Sequence, residues 1–243
     1  WATNKIIIDS NGLNYQGDAD TFDVEYTTNG QSVQIVYADS TKGWVPINDD
    51  DVTDVPAAPS SNQNGLFGYG DPYASETAVT NIVSNVGVVA SDVSGVGTAR
   101  EELAACGYGN DKAIFGFGRI DSSDTLTGAT NLVNNSGVVA SDVSAVGTAR
   151  RLVAGATYGG DKGIFGFGTT GSYTAVSNLV SNSGVVASDT SGVGTARAYL
   201  AACSYSADKD KAIFAYGHDS GSLVSMSNLV NNSGVVASDV TGV

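Results

Sequence analysis

Residues 111–118 read DKAIFGFG, and altered forms of this stretch recur along the chain. The part made of an apolar residue, Phe, Gly or Ala, an aromatic residue and Gly begins at Leu66, Ile114, Ile164 and Ile213. Large and small side chains alternate in it, which is typical of a tightly packed β-strand, and its glycines allow another backbone to approach closely. A motif that returns at nearly constant spacing predicts a repeat architecture.

Two further signatures keep the same spacing of about 49 residues. GVVASD begins at Gly87, Gly137, Gly184 and Gly234, and GTAR begins at Gly97, Gly147 and Gly194. One period predicts four short strands, at residues 113–118, 130–134, 138–140 and 150–158, with turn residues between them. A short helix over 148–154 is the alternative, which Gly147 and Gly155 disfavour. A four-stranded antiparallel sheet of this length is one blade of a β-propeller.

The run GTAR, then LAA, then YG-x-DKAIFGFG resembles a kelch-type propeller repeat over residues 64–243. The copies differ from kelch repeats because they end Gly-Phe-Gly or Gly-Tyr-Gly rather than Gly-Gly and lack the later Trp. Repeats of the chromosome-condensation-regulator type are similar in length and glycine content. Both resemblances imply a propeller, so the expected fold class is all-β, with a small N-terminal β-module followed by four-stranded propeller-like blades.

Residues 1–55 carry none of the repeat signatures and predict a separate β-module, with a linker at 56–63. We expect a strand at 5–9 and a hairpin over 22–37, because Asn29-Gly30 between alternating runs is a strong hairpin signal. A module this small has little core of its own. We therefore expect it to serve oligomerisation or attachment, with partner chains burying its apolar side chains, which are Ile6, Ile8, Tyr26, Val36 and Trp44.

The stretches KIIIDSNGL at 5–13 and TKGWVP at 41–46 resemble small β-modules of tail fibres and other virion structural proteins of marine and cyanobacterial phages. Near-identical tandem repeats rich in Gly, Ser and Asn are also common in such fibres. The resemblance implies a homotrimer on the virion surface, in contact with other virion proteins.

The composition limits the partners. The 243 residues hold 11 Lys and Arg against 25 Asp and Glu, a formal net charge of −14, which repels nucleic acid and anionic membranes. Neutral or cationic partners are favoured. No run of 18 apolar residues predicts a membrane span. Cys106 and Cys203 occupy the same place in two repeats, and we expect both to be small buried side chains.

No catalytic constellation, metal cluster or cofactor motif emerges, so we expect a protein that is not an enzyme. His218 is the single histidine and is interpreted as a loop residue. Asp18, Asp20 and Asp23, and the acidic run within 48–51, are interpreted as solvated loops, with a Ca²⁺ site as the alternative.

One Asp and one Arg recur at fixed places in the repeats. They are Asp92, Asp142, Asp189 and Asp239, and Arg100, Arg150 and Arg197. We interpret them as structural Asp–Arg pairs between neighbouring strands or blades, which need hydrogen bonds to offset desolvation. The alternative is a ring of Asp around a central channel that binds a cation or a sugar.

The copies differ most after each Gly-aromatic-Gly, at 71–80, 119–127, 169–175 and 218–225. Loops carry specificity and aromatic faces stack on sugars, so Tyr73, Arg119, Tyr173 and His218 are the expected contacts to a host-surface glycan. The expected function is that of a phage tail or head fibre that attaches to the host. A secreted bacterial propeller lectin or adhesin and a propeller glycosidase or lyase are the alternatives, and near-uniform copies favour binding over catalysis.

Counting strands gives one fewer than four complete blades. The missing one is a fourth GTAR strand, so we expect the natural protein to extend beyond Val243. The alternative is a ring closed at four blades by pairing residues 222–243 with 64–70.

Overall fold

Antiparallel strand pairing accounts for the regular structure of the chain. A computed structural model describes residues 6–19, 23–27, 33–47, 64–73, 75–120 and 123–242. These hold 15 strands in small antiparallel sheets. The all-β class predicted from the sequence is confirmed. The chain divides into two compact units, Trp1–Ser61 and Asn62–Val243.

The N-terminal unit contains two two-stranded sheets. β1 (Ile6–Ile8) pairs with β2 (Val24–Tyr26), and β3 (Ile35–Asp39) pairs with β4 (Gly43–Pro46). The expected hairpin over 22–37 is therefore wrong in its strand partners, and its Asn29-Gly30 turn lies outside the described residues. A different turn closes a hairpin nearby, because Asp39 Oδ1 accepts the backbone N–H groups of Thr41 and Lys42.

A small cluster forms the core of this unit. Tyr15, Val24 and Tyr26 are buried, and Ile6, Ile8 and Trp44 are among the partly buried side chains packed against them. Val36, by contrast, is 46% exposed. Burial of Val36 by a partner chain stays a prediction.

The second unit contains four sheets. The first pairs β5 (Gly65–Gly70) with β6 (Thr77–Val83). The other three follow a repeat of about 50 residues and three strands: β7 (Ala104–Tyr108), β8 (Lys112–Gly116) and β9 (Thr130–Val133); β10 (Ala154–Tyr158), β11 (Lys162–Gly166) and β12 (Ser177–Val180); and β13 (Ala201–Tyr205), β14 (Lys211–Ala215) and β15 (Ser227–Val230).

The predicted four-stranded blade is observed as a three-stranded sheet, which begins with residues 104–108 and in which residues 138–140 form no strand. Isolated bridges, Val133 to Val139 and Thr130 to Val143, and backbone hydrogen bonds such as that from the Ala140 N–H to the Leu132 carbonyl join residues 138–143 to β9. The side chain of Asn131 donates to the carbonyl of Ala140 at 2.9 Å, so a side chain takes an acceptor that a β-ladder would use.

The predicted strand at 150–158 begins later and belongs to the next sheet. It runs over Ala154–Tyr158 and pairs with β11 through a turn that contains Gly159 and Gly160, both with positive φ. Leu152 has φ of 55°, which interrupts an extended strand, and the helical alternative does not form.

The Gly-aromatic-Gly motif and its Ala-Tyr-Gly variant end β8, β11 and β14, and the first copy makes an irregularity between Gly68 and Gly70 within β5. β8 stops at Gly116 because Phe117 adopts φ of 65°, and the equivalent Tyr69, Phe167 and Tyr216 lie between 62° and 64°. A bulky residue in the left-handed region is costly and persists only where packing holds it in place. The motif therefore turns the rings of Tyr69, Phe117 and Phe167 onto the neighbouring sheet.

The core of this unit lies between successive sheets. Three edge-to-face ring pairs join them, Tyr69 with Phe115, Phe117 with Phe165, and Phe167 with Phe214, with centroids 5.1 to 5.3 Å apart. No closed propeller is formed by the described residues, and β5 pairs with β6, not with residues 222–243.

Candidate binding groove on the loop face

Three buried arginines connect the sheets beneath the loops. The side chains of Arg100, Arg150 and Arg197 are fully buried. In Arg150, Nε donates to the carbonyl of Phe167, Nη1 to the carbonyl of Thr148, and Nη2 to Asn178 Oδ1 at 2.6 Å. Arg100 and Arg197 make the equivalent three bonds in their own repeats. All three sites are thus the same network.

Each arginine also binds the preceding sheet. The guanidinium of Arg150 lies 4.2 Å from the centre of the Phe117 ring. The backbone carbonyl of Arg150 accepts a hydrogen bond from the N–H of Gly118. Arg100 stacks on Tyr69 and Arg197 on Phe167 in the same way. Burial lowers the pKa of Arg150 to about 10. The ring contact and the hydrogen bonds oppose this desolvation cost.

The repeated Asp closes each network from the far side. The Asp189 carboxylate accepts hydrogen bonds from the backbone N–H and the hydroxyl of Thr148 and from the side-chain amide of Asn178. Its Oδ1 lies 4.0 Å from Arg150 Nη1. Asp142 and Asp239 stand in the same relation to Arg100 and Arg197.

The fourth repeated carboxylate, Asp92, is bound differently. The described contacts join it to Asn81 rather than to an arginine. Each arginine pairs with the Asp that follows it in sequence, so Asp92 has none. Among the described residues no group of three His, Cys, Asp or Glu side chains could hold a metal ion. Of the alternative Ca²⁺ ligands, Asp20 and residues 48–51 lie outside the described part of the chain.

The two cysteines differ, against expectation. Cys106 is buried, which raises the pKa of its thiol to about 12, whereas Cys203 is exposed. Cys106 packs against the next sheet, since a Cβ on Gly163 would lie 2.5 Å from its Sγ. Cys203 lies on β13, in the last described sheet. Among the described residues no following sheet covers the side of β13 that faces away from β10.

Two of the four expected binding residues come together on the loop face. Tyr173 Oη and His218 Nδ1 are 3.0 Å apart, with their ring centres at 5.8 Å. Arg119 forms ion pairs with Glu101 and Asp124 instead. Tyr73 is 98% exposed, and no hydrogen bond or ring contact of the described residues joins it to the other three.

A cavity of about 620 Å³ opens beside the Tyr173–His218 pair. We name it the loop groove; the residues lining it include Arg151, Leu152, Thr169, Tyr173, Tyr199 and Ser220. Tyr199 is 65% exposed. Leu152 and Tyr199 hold φ of 55° and 57°, so a strained backbone positions both walls.

Sequence reasoning missed Arg151, Leu152 and Tyr199. Arg151 and Leu152 fall within the strand predicted over 150–158, and Tyr199 lies two residues after the repeated Arg197. A signal was present, because the two positions after GTAR read Glu-Glu, Arg-Leu and Ala-Tyr in the three copies. The second of these positions holds Glu102, Leu152 and Tyr199, none of which is buried.

The chemistry of the loop groove suits a neutral polar ligand. The charge of Arg151 is matched by Glu102 at 2.8 Å and by Asp124 at 3.3 Å. The groove then offers aromatic faces and the hydroxyls of Thr169, Ser172 and Ser220. Such a combination binds molecules that have both apolar faces and hydroxyl groups.

Comparison with known proteins supplies no further identification. No helix in the described parts of the chain is long and apolar enough to cross a membrane. No protein-family model matches the chain, and a search of curated proteins finds no similar one.

Proposed function

We propose that this chain is a structural and binding protein of a virion-surface fibre, such as a phage tail or head fibre, which attaches to a neutral glycan of the host surface. The observation that carries the binding function is the loop groove, where exposed Tyr199 and Tyr173, which contacts His218, line a cavity. The groove residues belong to loops held by buried arginine networks.

The rigidity of the support favours binding. Arg150 and Arg197 anchor the two segments that continue directly into the groove residues Arg151, Leu152 and Tyr199. A groove that is formed before the ligand arrives loses less conformational entropy on binding. The formal charge of −14 adds a preference for neutral over anionic glycans.

The repeat favours a structural role. Successive sheets pack through an equivalent pair of aromatic rings and an equivalent arginine. We propose that these sheets are kelch-like propeller blades. The N-terminal unit is proposed to mediate trimerisation and contact with other virion proteins. This proposal is supported by its small core and exposed apolar side chains such as Ile7 and Val36.

A glycan array of neutral and anionic sugars, probed with the full chain, tests the binding function. We expect saturable binding to a neutral glycan, weakened about tenfold in Tyr199→Ala through loss of one stacking face. Tyr205→Ala is the matched control, because Tyr205 is also partly exposed but lies outside the groove lining. Absence of neutral-glycan binding, or equal affinity in Tyr199→Ala, contradicts the proposal.

Purified particles test the virion role. Mass spectrometry of the particles should detect peptides of this chain at a fixed ratio to other structural proteins. Finding the chain only as free secreted protein would instead support the lectin or adhesin alternative, which uses the same groove.

A further inference from the structure

Among the residues that the structure describes, the first sheet of the second unit lacks a strand that its other three sheets have. Among the described residues β5 and β6 form a two-stranded sheet, whereas the other sheets begin with β7, β10 or β13. Those first strands each follow a GTAR segment, at 97–100, 147–150 and 194–197. The edge of β5 that corresponds to the one paired in β8, β11 and β14 is therefore open in the described structure.

The first sheet nevertheless contains the acceptors that bind such a segment elsewhere. Asn81 Nδ2 donates to Asp92 Oδ1 at 2.8 Å and to the carbonyl of Ala90 at 3.2 Å. The corresponding bonds of Asn131, to Asp142 and to Ala140, are 2.8 and 2.9 Å long. Half of the arginine network is thus already assembled, without an arginine.

The missing half is specific in its chemistry. In the complete networks Asn131 Oδ1 accepts from Arg100 Nη2, and Asp142 accepts the N–H and Oγ1 of Thr98. The contacts described for the first sheet include no such donor to Asn81 Oδ1, and Asp92 is exposed. Phe67 beside this edge is 69% exposed, while its equivalents Phe115, Phe165 and Phe214 are 5% exposed or less.

We propose that the first sheet is a docking site for an extended segment of another chain that carries Thr-x-Arg followed by a strand of small and apolar residues. The arginine of this segment binds Asn81 and Asp92, its threonine binds Asp92, and its strand pairs with the open edge of β5. Three internal copies of this interaction show the fit. Addition of a strand to an open sheet edge is a general mode of peptide recognition.

Charge complementarity supports this occupant. The segment brings a cation to a carboxylate on a strongly acidic protein. The main-chain pairing supplies affinity along the edge, whereas the Arg and Thr contacts set the register. A peptide without the arginine cannot donate to Asn81 and Asp92, so the complex lacks these charge-assisted hydrogen bonds.

A peptide with the sequence of residues 147–158, GTARRLVAGATY, is the probe, since this copy contains no cysteine. Fluorescence anisotropy of the labelled peptide with the full chain should show saturable binding of one peptide per chain. We expect at least about a tenfold loss of affinity when the peptide carries Arg150→Ala, or when the protein carries Asp92→Asn. Glu76→Gln removes the same charge from the residue that directly precedes β6 and should leave the affinity unchanged.

Hydrogen exchange identifies where the peptide binds. Bound peptide should protect the amides of β5, without new protection in the other sheets. Three results would overturn the proposal: no saturable binding at millimolar peptide, unchanged affinity in Asp92→Asn, or protection confined to another sheet. Self-association of the chain that protects β5 and excludes the peptide would also overturn it, because a second copy would then be the occupant.

Discussion

At the scale of single residues, the buried arginines have the most demanding environment in the chain. Each side chain has no exposure, yet its cation is stacked on a ring and donates to three acceptors. Planar, forked donors fit such a set, whereas an ammonium group does not. The network should therefore depend on Arg and not on positive charge alone.

Arg150→Lys is expected to lower the free energy of unfolding by about 2–4 kcal/mol, because it strands buried acceptors and loses the ring contact. Urea unfolding measures the loss. Arg151→Lys is the matched control; its ion pairs are partly exposed, so we expect a change below about 1 kcal/mol. Equal losses in the two variants would contradict a special role for the buried network.

The network carboxylates make stability depend on pH. Burial alone would raise the pKa of Asp189, but hydrogen bonds from Thr148 and Asn178 hold it below the ordinary value of 3.8. Asp142 and Asp239 are lowered in the same way. A carboxyl group whose pKa is lowered by folding stabilises the protein fully above its unfolded value. That contribution is lost as the pH falls through the lowered value.

We therefore expect stability to fall below about pH 4, with a shallower decline in Asp189→Asn than in the unaltered chain. Urea unfolding at a series of pH values measures the slope. Glu76→Gln, outside the networks, should keep the slope of the unaltered chain. An Asp189→Asn slope as steep as that of Glu76→Gln would show that the lowered carboxyl pKa contributes nothing.

At the scale of elements, the sequence predicts the repeat and three of its strands but not how they group. The apolar strand motif correctly marks β8, β11 and β14, since its pattern is local. The grouping depends on side-chain bonds, such as Asn131 to Ala140, which no strand pattern reveals. The turn of the Gly-aromatic-Gly motif also escapes prediction, because left-handed φ at Phe117 is imposed by the neighbouring sheet.

The loop groove illustrates the same limit. Tyr173 and His218 could be selected as variable aromatic and titratable residues, although 45 residues separate them in sequence. Tyr199 could not, because it lies beside a repeated motif and its exposure follows from strained backbone after Arg197. Local sequence therefore identifies Tyr173 and its partner His218 but not Arg151, Leu152 or Tyr199.

Close approach of sheets gives the element-scale prediction. A Cβ on Gly166 would lie 2.8 Å from Phe214 Cζ, in a fully buried contact. Gly166→Ala should thus lower the free energy of unfolding by about 1–3 kcal/mol through overpacking. Gly221→Ala, on an exposed loop with its nearest contact at 3.6 Å, should change it by less than about 0.5 kcal/mol. Thermal or urea unfolding of both variants measures these changes. Equal free energies of unfolding in the two variants would mean that the interface between the sheets accommodates the added methyl group without cost.

At the scale of the whole repeat unit, each sheet packs on its neighbours in sequence. Sheets inside such an array have two neighbours, and the last described sheet has one. The burial of equivalent strands follows this rule, because alternate side chains of β10 are buried while those of β13 are exposed. Tyr216 is 59% exposed, whereas Phe117 and Phe167 are at most 1% exposed. Arrays stabilised by nearest neighbours can open from their ends.

Hydrogen exchange of the full chain should therefore show lower protection in β13–β15 than in β10–β12. Val180 and Val230 are a matched pair for testing the cause, since they occupy equivalent strands and both have no exposure. Each change to Ala removes about two methylene equivalents, roughly 2 kcal/mol. Val230→Ala should weaken protection in β13–β15 alone, while Val180→Ala should weaken it in β10–β12 and in the sheets on either side. Uniform loss of protection in both variants would show instead that the repeat unit unfolds as one cooperative body, in which end and interior sheets have the same stability.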